Sequence, residues 1–295
     1  MKLGIDLGGT KIEIVSLDQD GRELFRTREP TPSGDYSATL LTIVKLVHDA
    51  ESRLGPASSI GIGTPGSLSK ATGLLRNSNS TCLNGRPFLR DIESHLNRKV
   101  KIANDANCFA LSEATDGAAS GYEIVFGVIV GTGTGAGIVV GGRALTGING
   151  ISGEWGHNPL PWPEANELPG LPCYCGKSGC IETFLSGPGM SAWHLQAFGK
   201  SLSPEEIVRG AEKGDRDCEE SLQIYESRFA RSLSHVINIL DPDAIVLGGG
   251  LSNIDRLYRN IPARWGKWVF SDRVDTRLVK HAHGDSSGVR GAARL

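Results

Sequence analysis

One pattern occurs twice along the chain and limits what it can fold into. Near the start, "KLGIDL", "KIEIVSL" and "RELFRTR" read as three strands joined by the turns "GGT" and "DQDG". The same order returns at "EIVFGVIV", "GAGIVV" and "RALTG", again with a glycine-rich loop after the first strand and a "GG" turn after the second. Two lobes of similar design account for the repetition. Shorter strands are predicted at "SSIGIG", "KVKIA" and "DAIVLGGG". Each ends in Gly, Asn or Asp, at the edge where open α/β sheets usually present ligands. In residues 215–240 the apolar side chains Leu222, Tyr225, Phe229, Leu233, Val236 and Leu240 recur every three or four positions and predict a helix. "SPEE" at Ser203 is a capping box with Pro204 at the first helical position. The expected class is α/β with mixed sheets, in two lobes divided as 1–116 and 117–295.

With 295 residues, 39% of them hydrophobic and 22% charged, the chain is long enough to bury two cores. A formal net charge of -2 gives no basic field for nucleic acid, so any anion must be held by local groups. No apolar run approaches the roughly 18 uncharged residues of a membrane helix, and "MKLGIDLGGT" lacks a basic stretch followed by an apolar one. The expectation is a cytoplasmic protein with neither nucleic acid nor membrane as partner. Six cysteines, three of them between positions 173 and 180, read as a metal site plus buried thiols rather than a disulfide framework. Cys82, Cys108 and Cys218 are expected to be structural.

Several motifs carry chemistry. In "DLGGTK", Asp6 to Lys11, glycines let backbone N–H groups turn toward a phosphate, and Asp6 can hold a hydrated Mg2+; an ordinary hairpin turn is the plainer alternative. "GTGTGAG", Gly131 to Gly137, occupies the equivalent place in the second meander. It fits a dinucleotide-binding pattern, but a strand follows it rather than a helix. "GKS" at 176–178 is not the end of a P-loop, because Leu171 stands where the earlier glycine belongs. "ANDANC" puts Asp105 between a strand and a helix, as a proton acceptor beside Asn104 and Asn107 or as part of a helix cap. In "CYCGKSGCIE" three thiolates need a fourth ligand, and His157 of "GEWGH" supplies it. His157, Cys173, Cys175 and Cys180 would make a closed structural Zn2+ site, against reduced cysteines in a loop. Glu154 and Glu182 flank the site as acceptors for hydroxyls or as surface charge. "VLGGG", Val246 to Gly250, offers a flat backbone surface for a purine or a simple turn.

Together, "DLGGTK", "GTPG" at 63–66, "ANDAN", "GTGTGAG", "GEWGH", "CYCGKSGCIE" and "VLGGG" resemble the ROK family of sugar kinases over essentially the whole chain. "NSNSTCLNGRPF" and "GEWGHNPLPW" look most like its bacterial fructokinase branch, which also phosphorylates mannose. The resemblance implies a two-lobed actin-like ATPase fold, with the sugar and a phosphate loop on 1–116 and ATP and the zinc loop on 117–295. It implies Asp105 as catalytic base, and Asn104, Glu154, His157, Glu182 and, more weakly, Asn79 on the sugar. Asp6, Gly8, Gly9, Thr10, Lys11, Thr132 and Gly133 would face the phosphates of ATP and Mg2+, and Gly249 the adenosine. With one ring nitrogen of His157 on zinc, the other N–H is expected to point at a sugar hydroxyl. A homodimer is expected. Glucose or N-acetylglucosamine is the alternative substrate. A sugar-sensing repressor is disfavoured because "DLGGT" starts at Asp6, and a catalytically idle binding protein because Asp105 is present.

Overall fold

A computed structural model describes residues 1–78 and 80–295. Asn79, expected near the sugar, lies outside the described residues. The first meander forms as predicted: β1 (Lys2–Leu7) and β2 (Lys11–Leu17) pair antiparallel with Asp6 opposite Glu13, and β3 (Glu23–Pro30) pairs with β2. After helix α1 (Tyr36–Leu54), strand β4 (Ser59–Thr64) joins β1 in parallel. A short ribbon, β5 (Ser67–Leu68) with β6 (Leu75–Arg76), and helix α2 (Phe88–Leu96) lead to β7 (Lys101–Asn104) and helix α3 (Asp105–Thr115). The sheet order is β3-β2-β1-β4-β7.

Period-two alternation decides what each face of this sheet carries. Leu3, Ile5 and Leu7 of β1, Ile12 and Ile14 of β2, and Ile60 and Ile62 of β4 form one core with Leu40, Ile43, Leu46 and Val47 of α1 and Phe88 and Ile92 of α2. Each such side chain contributes about 1.5 to 3 kcal/mol by leaving water. The other face carries Gly4, Asp6, Gly61 and Gly63, and against it lies the C-terminal helix Ser287–Arg294. Val289 and Ala293 of that helix are buried with Val15 and Leu17. A side chain at Gly61 would overlap the carbonyl of Ala292, so the helix approaches the sheet at a distance that glycine alone permits.

Packing groups residues 1–120 with 137–152 and 282–295, and residues 121–136 with 153–281. The grouping is therefore not the single cut between 116 and 117. The difference has a physical cause: the small residues of the C-terminal helix fit the glycine face of the N-terminal sheet, a relation between distant segments.

The other large sheet holds β8 (Ile124–Val130), β9 (Thr134–Val140), β10 (Arg143–Ala144), β11 (Ala244–Gly248) and β12 (Arg277–Lys280), in the order β10-β9-β8-β11-β12. Strand β11 runs parallel to β8 and to β12. Strand β10 is two residues long, shorter than "RALTG" suggested. The helices between β10 and β11 are α4 (Glu182–Leu185), α5 (Gly187–Phe198), α6 (Pro204–Glu212) and α7 (Arg216–Leu240), and two single-turn helices, Leu257–Asn260 and Pro262–Trp265, lie between β11 and β12. The capping box forms at Ser203, which accepts from the Glu206 N–H while Glu206 accepts from the Ser203 N–H. Helix α7 is capped by Asp215 and buries Leu222, Tyr225, Phe229 and Leu233; Ile237, not Val236, completes the stripe.

Helix α7 also buries charge. Arg228 and Arg231 converge on Glu167, with Arg228 Nε 2.7 Å and Arg231 Nη2 2.7 Å from its Oε1, and Arg231 Nη1 2.8 Å from Oε2. The Arg228 guanidinium also stacks 3.8 Å from the centroid of Trp193. Burial alone would raise the Glu167 pKa, but the bonds from Arg231 and Arg228 and from the Glu164 N–H overrule it and hold the carboxyl at about 2.

Candidate active site

In the first unit, the loop after β1 is shaped by its own backbone. The Gly8 N–H donates to the Lys11 carbonyl at 3.0 Å. Thr31 braces the loop, its hydroxyl donating to the Gly8 carbonyl at 2.7 Å and its N–H to the Thr10 carbonyl at 3.0 Å. Gly9 and Thr10 are exposed, and Lys11 pairs with Glu13 at 3.3 Å. Burial, then the charges of Asp105 and Glu13, push the Asp6 carboxyl up to about 7 against the opposing pull of Lys11. A carboxylate so placed is short of positive charge.

Asp105 opens α3, one residue after the strand edge. Asn104 is the N-cap: its Oδ1 accepts from the Ala106 N–H at 2.9 Å and its Nδ2 donates to the Gly66 carbonyl at 3.2 Å. Its amide thus ties the "GTPG" turn to the helix start. Asp105 accepts from the same Ala106 N–H at 2.8 Å. The cap of "ANDAN" is thus Asn104, and Asp105, at the first helical position, is the carboxylate whose charge raises the Asp6 pKa. Cys108 lies buried beneath them, its thiol raised first by burial and then by these two acids.

In the second unit, the glycine loop after β8 anchors what surrounds it. Gly187 donates its N–H to the Gly131 carbonyl at 2.7 Å, and the Thr134 N–H donates to Glu182 Oε2 at 3.0 Å. A side chain at Gly156 would overlap the carbonyl of Thr134. Trp155, buried beside it, meets Phe126 of β8 edge to face at 5.6 Å. Thr132 is exposed on the loop. Gly249, at the end of β11, has a φ of +81° and would drive any Cβ into the carbonyl of Val130. The link from Glu182 to Thr134 was not foreseen from sequence, because 48 residues separate the partners.

The four expected metal ligands come together. The donor atoms of His157, Cys173, Cys175 and Cys180 all lie within 4.8 Å of one another. His157 Nδ1 is 3.5 Å from Cys173 Sγ, and Cys175 Sγ is 3.6 Å from Cys180 Sγ. Sulfurs on a tetrahedral zinc stand roughly 3.8 Å apart, so the thiols fit the ion. The narrow C-x-C spacing works because the chain turns sharply, with the Cys173 N–H on the Lys177 carbonyl at 2.7 Å and the Gly176 N–H on the Cys173 carbonyl at 3.0 Å. All six cysteines are free thiols. Nε2 of His157, the nitrogen expected to face a sugar hydroxyl, lies 2.9 Å from the hydroxyl of Tyr174. Tyr174 was not singled out in sequence, being a residue between two ligands that belongs to no motif of its own. Burial, then charges that include Glu182 and Glu154, push its phenol up to about 12, so the two acids, the imidazole and the phenol share one neighbourhood.

The model of the ROK family matches residues 2–295. The chain belongs to the ROK family. This ROK protein is 38% identical over 299 residues to the N-acetyl-D-glucosamine kinase of Pectobacterium atrosepticum, covering 100% of this chain and 98% of that one. It resembles the ROK hexokinase of Thermus thermophilus at 32% identity with a TM-score of 0.88, covering 99% and 97% of the two chains. A ROK family glucokinase of Streptomyces griseus, solved with glucose and AMPPNP, follows at 25% identity and a TM-score of 0.78, covering 100% and 98%. The fold is thus the α/β, mixed-sheet, actin-like ATPase fold of these kinases, and the ROK protein is an ATP-dependent sugar kinase. The curated relative named here is an N-acetyl-D-glucosamine kinase, not a fructokinase. Among the described residues, no helix is long and apolar enough to cross a membrane.

Proposed function

We propose that this chain transfers the γ-phosphoryl group of ATP to the 6-hydroxyl of N-acetyl-D-glucosamine. The observation that carries the choice of sugar is the 38% identity, over the whole chain, with an N-acetyl-D-glucosamine kinase. A second reading, fructose with mannose as a further substrate, is favoured by "NSNSTCLNGRPF" and "GEWGHNPLPW".

In this reading Asp105 takes the proton of the attacking hydroxyl, and Glu154, His157 and Glu182 hold other hydroxyls. Asn79 and Asn104 are the weaker sugar candidates, since the amide of Asn104 already serves the helix cap. The loop Gly8–Lys11, with the N–H groups of its exposed residues Gly9 and Thr10, and the Thr132–Gly133 loop face the phosphates, with Gly249 against the adenosine. Asp6, short of positive charge, is the group suited to Mg2+, which when bound neutralises charge on the transferring phosphates. Zinc on His157, Cys173, Cys175 and Cys180 supplies a rigid cross-link and no reaction of its own. Phosphoryl transfer passes through a loose transition state, so the chain's task is alignment and charge stabilisation. A cytoplasmic homodimer belongs to the same reading.

The test is an ADP-release assay with MgATP against N-acetyl-D-glucosamine, fructose, mannose and glucose under identical conditions. The expected result is the highest kcat/KM on N-acetyl-D-glucosamine. Highest kcat/KM on fructose would replace it with the second reading, and turnover on none of the four would remove both.

A further inference from the structure

Tyr174 stands at the tip of the cysteine loop, held on both sides by Cys173 and Cys175, and is 78% exposed. Its ring meets the His157 imidazole edge to face at 5.0 Å and its hydroxyl lies 2.9 Å from Nε2. Nδ1 of the same ring faces the sulfur of Cys173. With the lone pair of Nδ1 directed into the cysteine cluster, Nε2 carries the hydrogen and donates it to the phenol oxygen. That N–H is the donor the proposed function assigns to a sugar hydroxyl. The backbone of the loop is fixed by its turn, and the tyrosine side chain projects from it toward solvent with the His157 contacts described above.

We infer that Tyr174 occupies the sugar's hydrogen-bond position on His157 in the sugar-free protein and must surrender it when sugar binds. The inference rests on the reading that His157 contacts sugar. An imidazole N–H with no partner would lose pairing energy and orientation; the phenol keeps it paired and the ring aligned. The exchange costs sugar affinity, because each binding event first breaks a hydrogen bond. A solvent-accessible bond of this kind is worth a factor of roughly two to ten in an equilibrium constant. Tyr174 is thus a positioning residue that sets how tightly sugar is held.

The test is Tyr174→Phe, which keeps the ring and removes the hydroxyl. Sugar binding is measured by calorimetry on the zinc-loaded protein without ATP, alongside zinc content and the KM values for sugar and for ATP. The expected result is a sugar Kd lower by about two- to tenfold, a parallel fall in the KM for sugar, an unmoved KM for ATP, and zinc content equal to wild type. Unchanged or weaker sugar binding overturns the inference, the latter by making the hydroxyl a direct sugar contact. Loss of zinc in the variant also overturns it, since the hydroxyl would then serve the loop. Failure of the underlying reading looks different: His157→Gln would bind sugar as tightly as wild type.

Discussion

Two carboxylates, one in each packing unit, show opposite solutions to the cost of burying charge. Glu167 has its cations built in: Arg228 and Arg231 surround it, and its pKa falls to about 2. Asp6 has acids for neighbours, Asp105 and Glu13, with Lys11 as the opposing cation, and its pKa rises to about 7. The first arrangement is complete as folded. The second is incomplete in a specific sense: it lacks positive charge at the strand edge where a glycine loop exposes Gly9 and Thr10. The lesson is that a buried acid whose charge the chain neutralises stays ionised, whereas one beside other acids is pushed toward its neutral form.

The same chemical change at three acids separates these roles. Asp105→Asn should fold and bind sugar but lose on the order of 10² to 10⁴ in kcat, the range of a general base; steady-state kinetics beside calorimetric sugar binding checks it, and near-normal turnover would move the base elsewhere. Glu167→Gln should leave two buried guanidinium groups facing one amide and cost about 3 to 5 kcal/mol of stability, measured by denaturant unfolding. A loss below about 1 kcal/mol would mean that the network contributes packing rather than charge.

The pH dependence sharpens the contrast. A folded pKa raised above the unfolded value of about 3.9 means that Asp6 contributes stability below that value, and this contribution disappears as pH rises through about 7. Glu167 runs the other way: its contribution is present above about 4.3 and disappears as pH falls toward about 2. The ligand-free protein should therefore lose Tm between about pH 4 and 7, and Asp6→Asn should flatten that slope while abolishing most turnover. A slope unchanged in the variant would break the comparison. The smallest expected effect is on the cysteine loop, where Cys175→Ser should lose zinc and loosen sugar binding while the rest of the fold persists. Full zinc occupancy in that variant would refute the ligand set.

Much of this was legible because the signals are local. A capping box at Ser203, a strand that ends at Asp6 before two glycines, and three cysteines with a histidine sixteen residues upstream of the first each follow from neighbouring residues. What escaped depends on distant partners. Nothing near "GVRGAAR" says that its small residues belong under β1 and β4; that follows from Gly4 and Gly61, more than two hundred residues earlier. Arg228 and Arg231 sit on an amphipathic helix where arginine ordinarily means a wet face, and their burial requires Glu167 to come from another loop. The partner of His157 Nε2 was hidden for a different reason: a tyrosine between two ligands carries no periodicity and no motif. Two short motifs pointed to fructose, whereas identity summed over the whole chain points to an amino sugar.

Gly133 and Glu182 offer a last consequence. A side chain at 133 would crowd Glu182 Oε2 at 3.0 Å, and that same oxygen, two residues after the Cys180 ligand, accepts the Thr134 N–H. The two loops are therefore coupled through one carboxylate: a Cβ at 133 would press on the oxygen that accepts the Thr134 N–H, and a shorter acid at 182 would give that bond up.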